Sequence, residues 1–582
     1  MKELAGISAS PGIAIGKVFV HVDEAPVIPR YPIDTRRLPD EMSRFRAAVE
    51  KATAEIHRLK EHATDIDGAE QAAFLESHVL MLNDPEFALT IETKLHEQRT
   101  NVEWVLINAR QEMVEKMNAL DDEYLRERIA DIQDVSRRIL NHLLYREKTS
   151  LADLTEEIVL VAHDLLPSDA IVMNKRMVKG IAMDAGGRTS HTAILARAFE
   201  IPAVLGLSEV TRLARVGDTI IVDGNRGHVI HEPDAAATKR YVRVQREWRK
   251  HEVQLMGLND LPAETRDGKL ITLNANIEIP DEVESIATHG ADGIGLYRSE
   301  FLFLRPGNLP TEEEQYRAYS YVLENIGDKP VTIRTLDIGG DKVSPDLEAL
   351  GEKNPILGWR AIRYCLSHVD IFKTQLRALL RASVHGALRI MFPMISGVEE
   401  LERAYEVLEQ VRSQLSAEGV PYARDIPVGI MIEVPSAAMT SDILAKRADF
   451  FSIGTNDLIQ YTIAVDRGNE NIAYLYEPCH PAVLRLIQLV IRNAHDVGIP
   501  VGMCGEMAGD PNVTMILLGL GLDEFSMSAA SIPEVKRIIR SVSLSEGEDV
   551  VGIAMEMKSY TEIDAYIREY MQRRFGTEVF AS

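Results

Sequence analysis

The sequence predicts a multidomain α/β protein, with a compact α/β unit interrupted by a helical bundle and followed by a C-terminal TIM-like (β/α)8 barrel. Three observations predict it. At 582 residues the chain is too long for one hydrophobic core. A polar, glycine-poor stretch, 35–147, carries apolar residues at three- and four-residue spacing. After Lys269, eight short apolar or β-branched runs recur with helical stretches in most gaps.

Taken in order, the opening run 13–22 reads as a strand, and the bundle follows, with helix breaks expected near 65–68, at Asn83-Asp84-Pro85 and around Asp121. After Thr149 the runs 158–162, 180–183, 203–206 and 219–222 read as strands alternating with helices. The opening strand is expected to join this unit, which makes the bundle an insertion. The expected limits are 1–34 with 148–232 for the α/β domain, 35–147 for the insertion, 233–260 for a charged helical linker and 261–582 for the barrel. The barrel runs are 270–275, 293–297, 331–336, 388–393, 428–432, 450–453, 500–503 and 524–527. An open doubly wound sheet is the alternative.

Charge narrows the function classes. Acidic residues number 89 against 64 basic, a formal charge of -25. So acidic a chain is a poor binder of nucleic acid or anionic membrane, since both reward a basic face. Met1 to Ser10 lacks the charged start and apolar core of a signal peptide, and no stretch approaches a transmembrane span. A cytoplasmic protein is expected. Cys365, Cys479 and Cys504 fall short of a disulfide framework and lack paired zinc spacing, so any that matters acts as a thiol.

The stretch Asp184-Ala-Gly-Gly-Arg-Thr-Ser-His-Thr-Ala-Ile-Leu-Ala-Arg197 places His191 between a glycine-bearing loop and an apolar helical run. Gly186 and Gly187 let the backbone approach a ligand, Thr189 or Ser190 can cap the helix, and its free amides face an anion. In the barrel, the chemically able residues cluster at strand ends, the face that carries active sites in this fold. Arg298 ends the second run, Arg334 lies in the third with Asp337 after it, and Glu433 ends the fifth. Asn456 and Asp457 follow the sixth, and Cys504 ends the seventh. Arg360 and Arg467 fall in connecting segments. Converging guanidinium groups form a pocket for a multiply charged anion. Glu433 and Asp457 are oxygen donors for a hard cation such as Mg²⁺.

The motifs become specific in combination. They are Gly6-Ile-Ser-Ala-Ser-Pro-Gly-Ile-Ala14, the His191 stretch, Gly295-Leu-Tyr-Arg-Ser-Glu-Phe-Leu302 and Arg334-Thr-Leu-Asp-Ile-Gly-Gly-Asp-Lys342. Gly429-Ile-Met-Ile-Glu-Val-Pro435, Phe451-Ser-Ile-Gly-Thr-Asn-Asp-Leu458 and Gly502-Met-Cys-Gly-Glu506 complete the set. With them the whole chain resembles the enzyme I family of the bacterial sugar phosphotransferase system, the phosphoenolpyruvate-protein phosphotransferases. The resemblance implies that His191 is the phosphorylated residue, through Nε2, of a phosphohistidine domain. It implies further that Arg298, Arg334 and Arg360 bind the phosphate region, and that Asn456 and Arg467 position the substrate carboxylate. Asp457 and Glu433 would hold Mg²⁺, and Cys504 would be the proton donor. A homodimer through the barrel is implied too, with the phosphocarrier HPr as the receiver docked on the helical insertion. Glu70, Phe74, Leu75, His78 and Met81 make a candidate mixed face there, against the plainer reading of bundle core. Nearby arginine and metal charges are expected to favour the Cys504 thiolate in the empty site, so that its protonation depends on bound substrate.

One departure from the family pattern is visible. Some members carry a threonine that orients the histidine ring, where this chain has Pro167-Ser-Asp-Ala170, and Ser168 is the candidate substitute. Three rivals are weighed. A pyruvate phosphate dikinase or phosphoenolpyruvate synthase would need a large nucleotide-binding domain, which this sequence lacks. A silent scaffold would be expected to have lost some barrel residues, and all are filled. A nitrogen-type paralogue usually carries an extra sensory domain, whereas here the family opening begins at Gly6.

Overall fold

The computed structural model describes residues 1–21, 30–64, 78–79, 81–119, 123–144, 151, 154–165, 173–174, 176–186, 192–193, 196, 199, 201–303, 309–338, 354–467, 469 and 472–576. The chain divides into two compact units, Met1–Lys250 and His251–Ala581. The division falls inside the helix Ala235–Met256.

In the first unit the strands are β1 (Lys2–Ala5), β2 (Ile7–Ser10), β3 (Ile13–His21), β4 (Ile158–Ala162), β5 (Val178–Met183), β6 (Ala203–Leu205), β7 (Thr219–Asp223) and β8 (His228–His231). They form one sheet in the order β1-β8-β7-β3-β4-β5-β6-β2. The opening strand β3 lies at its centre, parallel to β4 and antiparallel to β7. Strand β4 shows why the sheet is buried on both faces. Ile158, Leu160 and Ala162 pack on one side while Val159 and Val161 pack on the other, as a period of two requires when both faces are covered. The first half of the helix Ala235–Met256 closes over one side, where Tyr241 packs with Ile13 and Ile221 and its hydroxyl donates to Asp223.

Between β3 and β4 lie the helices Leu38–Thr64, Pro85–Gln98, Val102–Ala119 and Glu123–Leu143. The first buries Phe45, Ala48, Ala52 and Ile56, one stripe at three- and four-residue intervals, against Ile91, Val105 and Ile139. Helix boundaries fall at Asn83-Asp84-Pro85 and around Asp121, while the break expected at 65–68 lies outside the described residues.

The second unit holds β9 (Ala263–Glu264), β10 (Leu270–Ile277), β11 (Gly293–Arg298), β12 (Val331–Arg334), β13 (Leu388–Phe392), β14 (Val428–Ile432), β15 (Phe451–Ile453), β16 (Val501–Met503) and β17 (Glu524–Met527). Strands β10 to β17 pair in parallel around a closed ring, with β10 joined to both β11 and β17. This is the expected eight-stranded barrel, and the open-sheet alternative is excluded. Only β9 departs from the pattern, as a short antiparallel arm on β10. Some outer helices begin with sequence-encoded caps, whereas the longest, Val398–Glu418, starts at Gly397 without one. Thr311 Oγ1 accepts from Glu314 N at 3.3 Å and the Glu314 carboxylate accepts from Thr311 N at 2.7 Å, starting the helix Glu312–Ile326. Such a box stabilises a helix by about 1 kcal/mol. No helix of the described residues is long and apolar enough to cross a membrane.

Candidate active site

Parallel strands turn at their C-terminal ends, so side chains on the last strand residue and the first loop residues share one mouth of the barrel. Arg298 is the last residue of β11, Arg334 the last of β12, Glu433 follows β14, and Cys504 follows β16. Asn456 and Asp457 sit in the first turn of the helix Thr455–Ile463, and Arg360 immediately precedes the helix Ala361–Ser367.

The guanidinium groups meet carboxylates at once. Arg334 is buried, bonds Glu300 on one side and lies 3.0 Å from Asp337 on the other. Asp337 passes to Arg360 at 2.9 Å, and Arg360 reaches Asp457 at 3.2 Å and the Tyr461 hydroxyl at 3.2 Å. Arg298 pairs with Glu278. Burial alone would lower the Arg334 and Arg360 guanidinium groups; their acidic neighbours, Asp337 first, outweigh it and hold both above the ordinary value. Each of these three arginines is already matched by acid. Sequence reasoning missed Glu278 and Glu300 because the pairings join segments 20 and 34 residues apart.

The backbone beneath is held as firmly. Ser299 Oγ donates to the Arg334 carbonyl at 2.6 Å, and Gln375 accepts from Leu336 N at 2.8 Å while donating to Ser299 Oγ at 3.0 Å. Glu433 is buried and accepts from Met394 N at 2.7 Å. Desolvation, then the nearby charges of Asp457 and Asp337, push its carboxyl up to about 8. Among the described residues no three His, Cys, Asp or Glu side chains are grouped as a metal cage. The pair Glu433 and Asp457 nonetheless fits a hard cation that takes one or two protein carboxylates and completes its shell from substrate and water. A cation there would favour the ionised form of Glu433 that burial and its acidic neighbours disfavour.

Cys504 is buried with Leu296, Met391, Met431 and Phe450. Desolvation pushes its thiol up; a Ser452 hydrogen bond and the charges of Arg334 and Arg298 pull it down without prevailing. The expected pull of the arginines toward thiolate is present, and burial among apolar side chains opposes it.

At the rim, Asn456 Nδ2 donates to Glu506 at 3.2 Å and Glu506 N donates back to Asn456 Oδ1 at 3.0 Å. Arg467 lies 4.0 Å from Glu506 and is partly exposed. Arg298, Arg334, Arg360, Glu433, Asn456, Asp457, Arg467 and Cys504 thus all belong to this mouth.

In the first unit, Thr192, Ala193 and Ala196 are helical and buried. His191 itself, with Gly187, Thr189, Ser190, Ser168 and Ala170, lies outside the described residues. The approach to it is pinned: Asp184 accepts from Val210 N and the Thr211 hydroxyl, and Ala185 N donates to the His163 carbonyl at 2.8 Å. Of the candidate carrier face, Glu70, Phe74 and Leu75 lie outside the described residues. His78 is fully buried 3.6 Å from Asp134 and so belongs to the core, while Met81 packs against the bundle core and is partly exposed.

Three family models match the chain. They are described as PEP-utilising enzyme, N-terminal, over residues 5–128; PEP-utilising enzyme, mobile domain, over 154–227; and PEP-utilising enzyme, PEP-binding domain, over 252–544. A phosphoenolpyruvate-protein phosphotransferase of Priestia megaterium is 45% identical over 97% of this chain and 99% of its own. One from Bacillus subtilis (strain 168) is 45% identical over 98% of this chain and 100% of its own. A solution structure of an enzyme I protein is 41% identical, covering 42% of this chain and 99% of that one at a TM-score of 0.39.

Proposed function

The chain belongs to the phosphoenolpyruvate-protein phosphotransferases, and from that premise we propose that it takes the phosphoryl group of phosphoenolpyruvate onto His191, releases pyruvate, and passes the group to HPr. It does so in the cytoplasm, as a homodimer joined through the barrel. The proposal keeps the domain limits 1–34 with 148–232, 35–147, 233–260 and 261–582.

One observation carries this reading: the buried Cys504 thiol, at the end of its strand, shares the barrel mouth with Arg334, Arg360, Glu433 and Asp457. Arg298, Arg334 and Arg360 bind the phosphate oxygens, and Asn456 with Arg467 orients the carboxylate. Glu433 and Asp457 hold Mg²⁺, which when bound supplies charge neutralisation at the substrate oxygens. Neutral His191 attacks phosphorus through Nε2, and the bond to the enol oxygen breaks with its electron pair leaving on the enolate. Guanidinium groups fixed in advance stabilise the charge that spreads over the phosphoryl and enolate oxygens. Cys504 then gives its proton to the methylene carbon, completing pyruvate, and the resulting thiolate recovers a proton from solvent. The acidic partners of the arginines support preorganisation of the site. They hold the guanidinium planes in place before substrate arrives, at the cost of a carboxylate exchange when it does.

Incubating the protein with phosphoenolpyruvate and Mg²⁺, with and without HPr and with ATP as a competing donor, tests it. Acid-labile phosphate from phosphoenolpyruvate alone, transferred on to HPr, is expected. Labelling from ATP, or stable retention in the presence of HPr, would contradict it.

A further inference from the structure

At the closing seam of the barrel a chain of hydrogen bonds ends on Cys504. Between β10 and β11 the register steps from Ala275 opposite Ile294 to Asn276 opposite Leu296, leaving Gly295 as an extra residue. A bulge of this kind re-aims the neighbouring side chain. Gly295 also makes room, because a Cβ there would lie 2.3 Å from Ser526 Oγ on β17. Ser526 donates to Asn276 Oδ1 at 2.6 Å, and Asn276 Nδ2 donates to the main-chain carbonyl of Cys504 at 3.0 Å. The donor sense is forced. A carbonyl can only accept, so the Asn276 amide must present its nitrogen to Cys504 and its oxygen to the serine hydroxyl.

The other main-chain group of Cys504 is tied as well, its N–H donating to the Ile453 carbonyl at 3.1 Å. Just beyond, a Cβ at Gly505 would sit 1.8 Å from Thr455 Oγ1, so the chain is pressed against that helix start. With both peptide groups fixed, the direction of the Cα–Cβ bond is fixed, and the Sγ–H donating to the Ile453 carbonyl at 3.8 Å selects the rotation about it, so the thiol faces one way into the site. We propose that Asn276, oriented by Ser526, is a positioning residue that aims the Cys504 thiol at one face of the enolate. This rests on the reading of Cys504 as the proton donor. The step is the protonation described above, with the hydrogen moving from Sγ to the methylene carbon and the thiolate refilled from water.

The test uses the full-length protein in deuterium oxide with phosphoenolpyruvate stereospecifically tritiated at its methylene carbon, in a single turnover with enzyme in excess. The pyruvate methyl then carries one each of the three hydrogen isotopes, and its handedness reports the face of delivery. The native protein is expected to give one configuration. Asn276→Ala and Ser526→Ala are expected to give a mixture and about tenfold slower pyruvate formation, with the KM for phosphoenolpyruvate unchanged. A purely structural role would not alter handedness. A single configuration at the native rate in both variants overturns the inference, and should Asn276→Ala fail to fold, Ser526→Ala decides alone. Cys504→Ala separates the two claims. If that variant still forms pyruvate of one configuration at the native rate, the assignment of the donor has failed, whatever Asn276 does.

Discussion

Cys504 illustrates how a residue's neighbours decide its chemistry. Cationic side chains stand near it, yet its immediate wall is Leu296, Met391, Met431 and Phe450, and desolvation dominates. A raised thiol stays protonated as pH rises through neutrality, so iodoacetamide should alkylate Cys504 more slowly at pH 7 than it does an exposed cysteine, as mass spectrometry would show; a rapid burst at Cys504 would contradict the assignment. Cys504→Ala should slow pyruvate formation by about 10²- to 10⁴-fold in an assay coupled to a lactate dehydrogenase. Arg334→Lys, which keeps the charge but loses the forked geometry toward Glu300 and Asp337, should lower kcat/KM for phosphoenolpyruvate by about 10²- to 10³-fold. Undiminished autophosphorylation by that variant would remove Arg334 from the phosphate site. The sequence made these charged residues legible because they stand at ends of apolar runs. It hid Asn276, one residue past the run that stopped at Ala275, because a lone polar residue beside a strand carries no signal until the barrel closes and brings it to Cys504.

At the level of elements, the barrel strands could be read because both their faces are buried and the apolar runs are continuous. Strands β1, β2 and β8 could not. Lys2–Ala5 and Ile7–Ser10 are short and partly exposed, and His228–His231 carries two histidines in four residues, so their pairing depends on distant partners. The turn after β10 makes a pH prediction. Glu282 accepts from Glu278 N at 2.6 Å and Ile279 N at 3.2 Å, and desolvation, with the charge of Glu278, pushes its carboxyl from 4.5 up to about 7. A carboxyl raised on folding favours the folded state fully below its unfolded value, and that contribution is lost as pH rises through the folded value. Thermal stability should therefore decline between about pH 4.5 and 7, and Glu282→Gln, which keeps an acceptor without a charge, should flatten the decline; an unaltered pH profile would count against it. Gly505→Ala, forced against Thr455 Oγ1, should cost about 1–3 kcal/mol in denaturant unfolding.

For the whole molecule, the division at 250 separates the stretch bearing His191 from the barrel that holds the proposed substrate site. If the substrate belongs to the barrel, phosphoenolpyruvate with Mg²⁺ at a hundred times its Kd should stabilise the barrel by about 2.7 kcal/mol. Slowed amide exchange is expected at the C-terminal ends of β11 to β16 and no change in β3 to β8. The proposal as a whole turns on one imidazole, and its most direct measurement is labelling of His191→Ala by phosphoenolpyruvate carrying radioactive phosphorus. The expected result is loss of all protein-bound label with calorimetric binding of phosphoenolpyruvate and Mg²⁺ intact. Label retained on another side chain of the variant would contradict it.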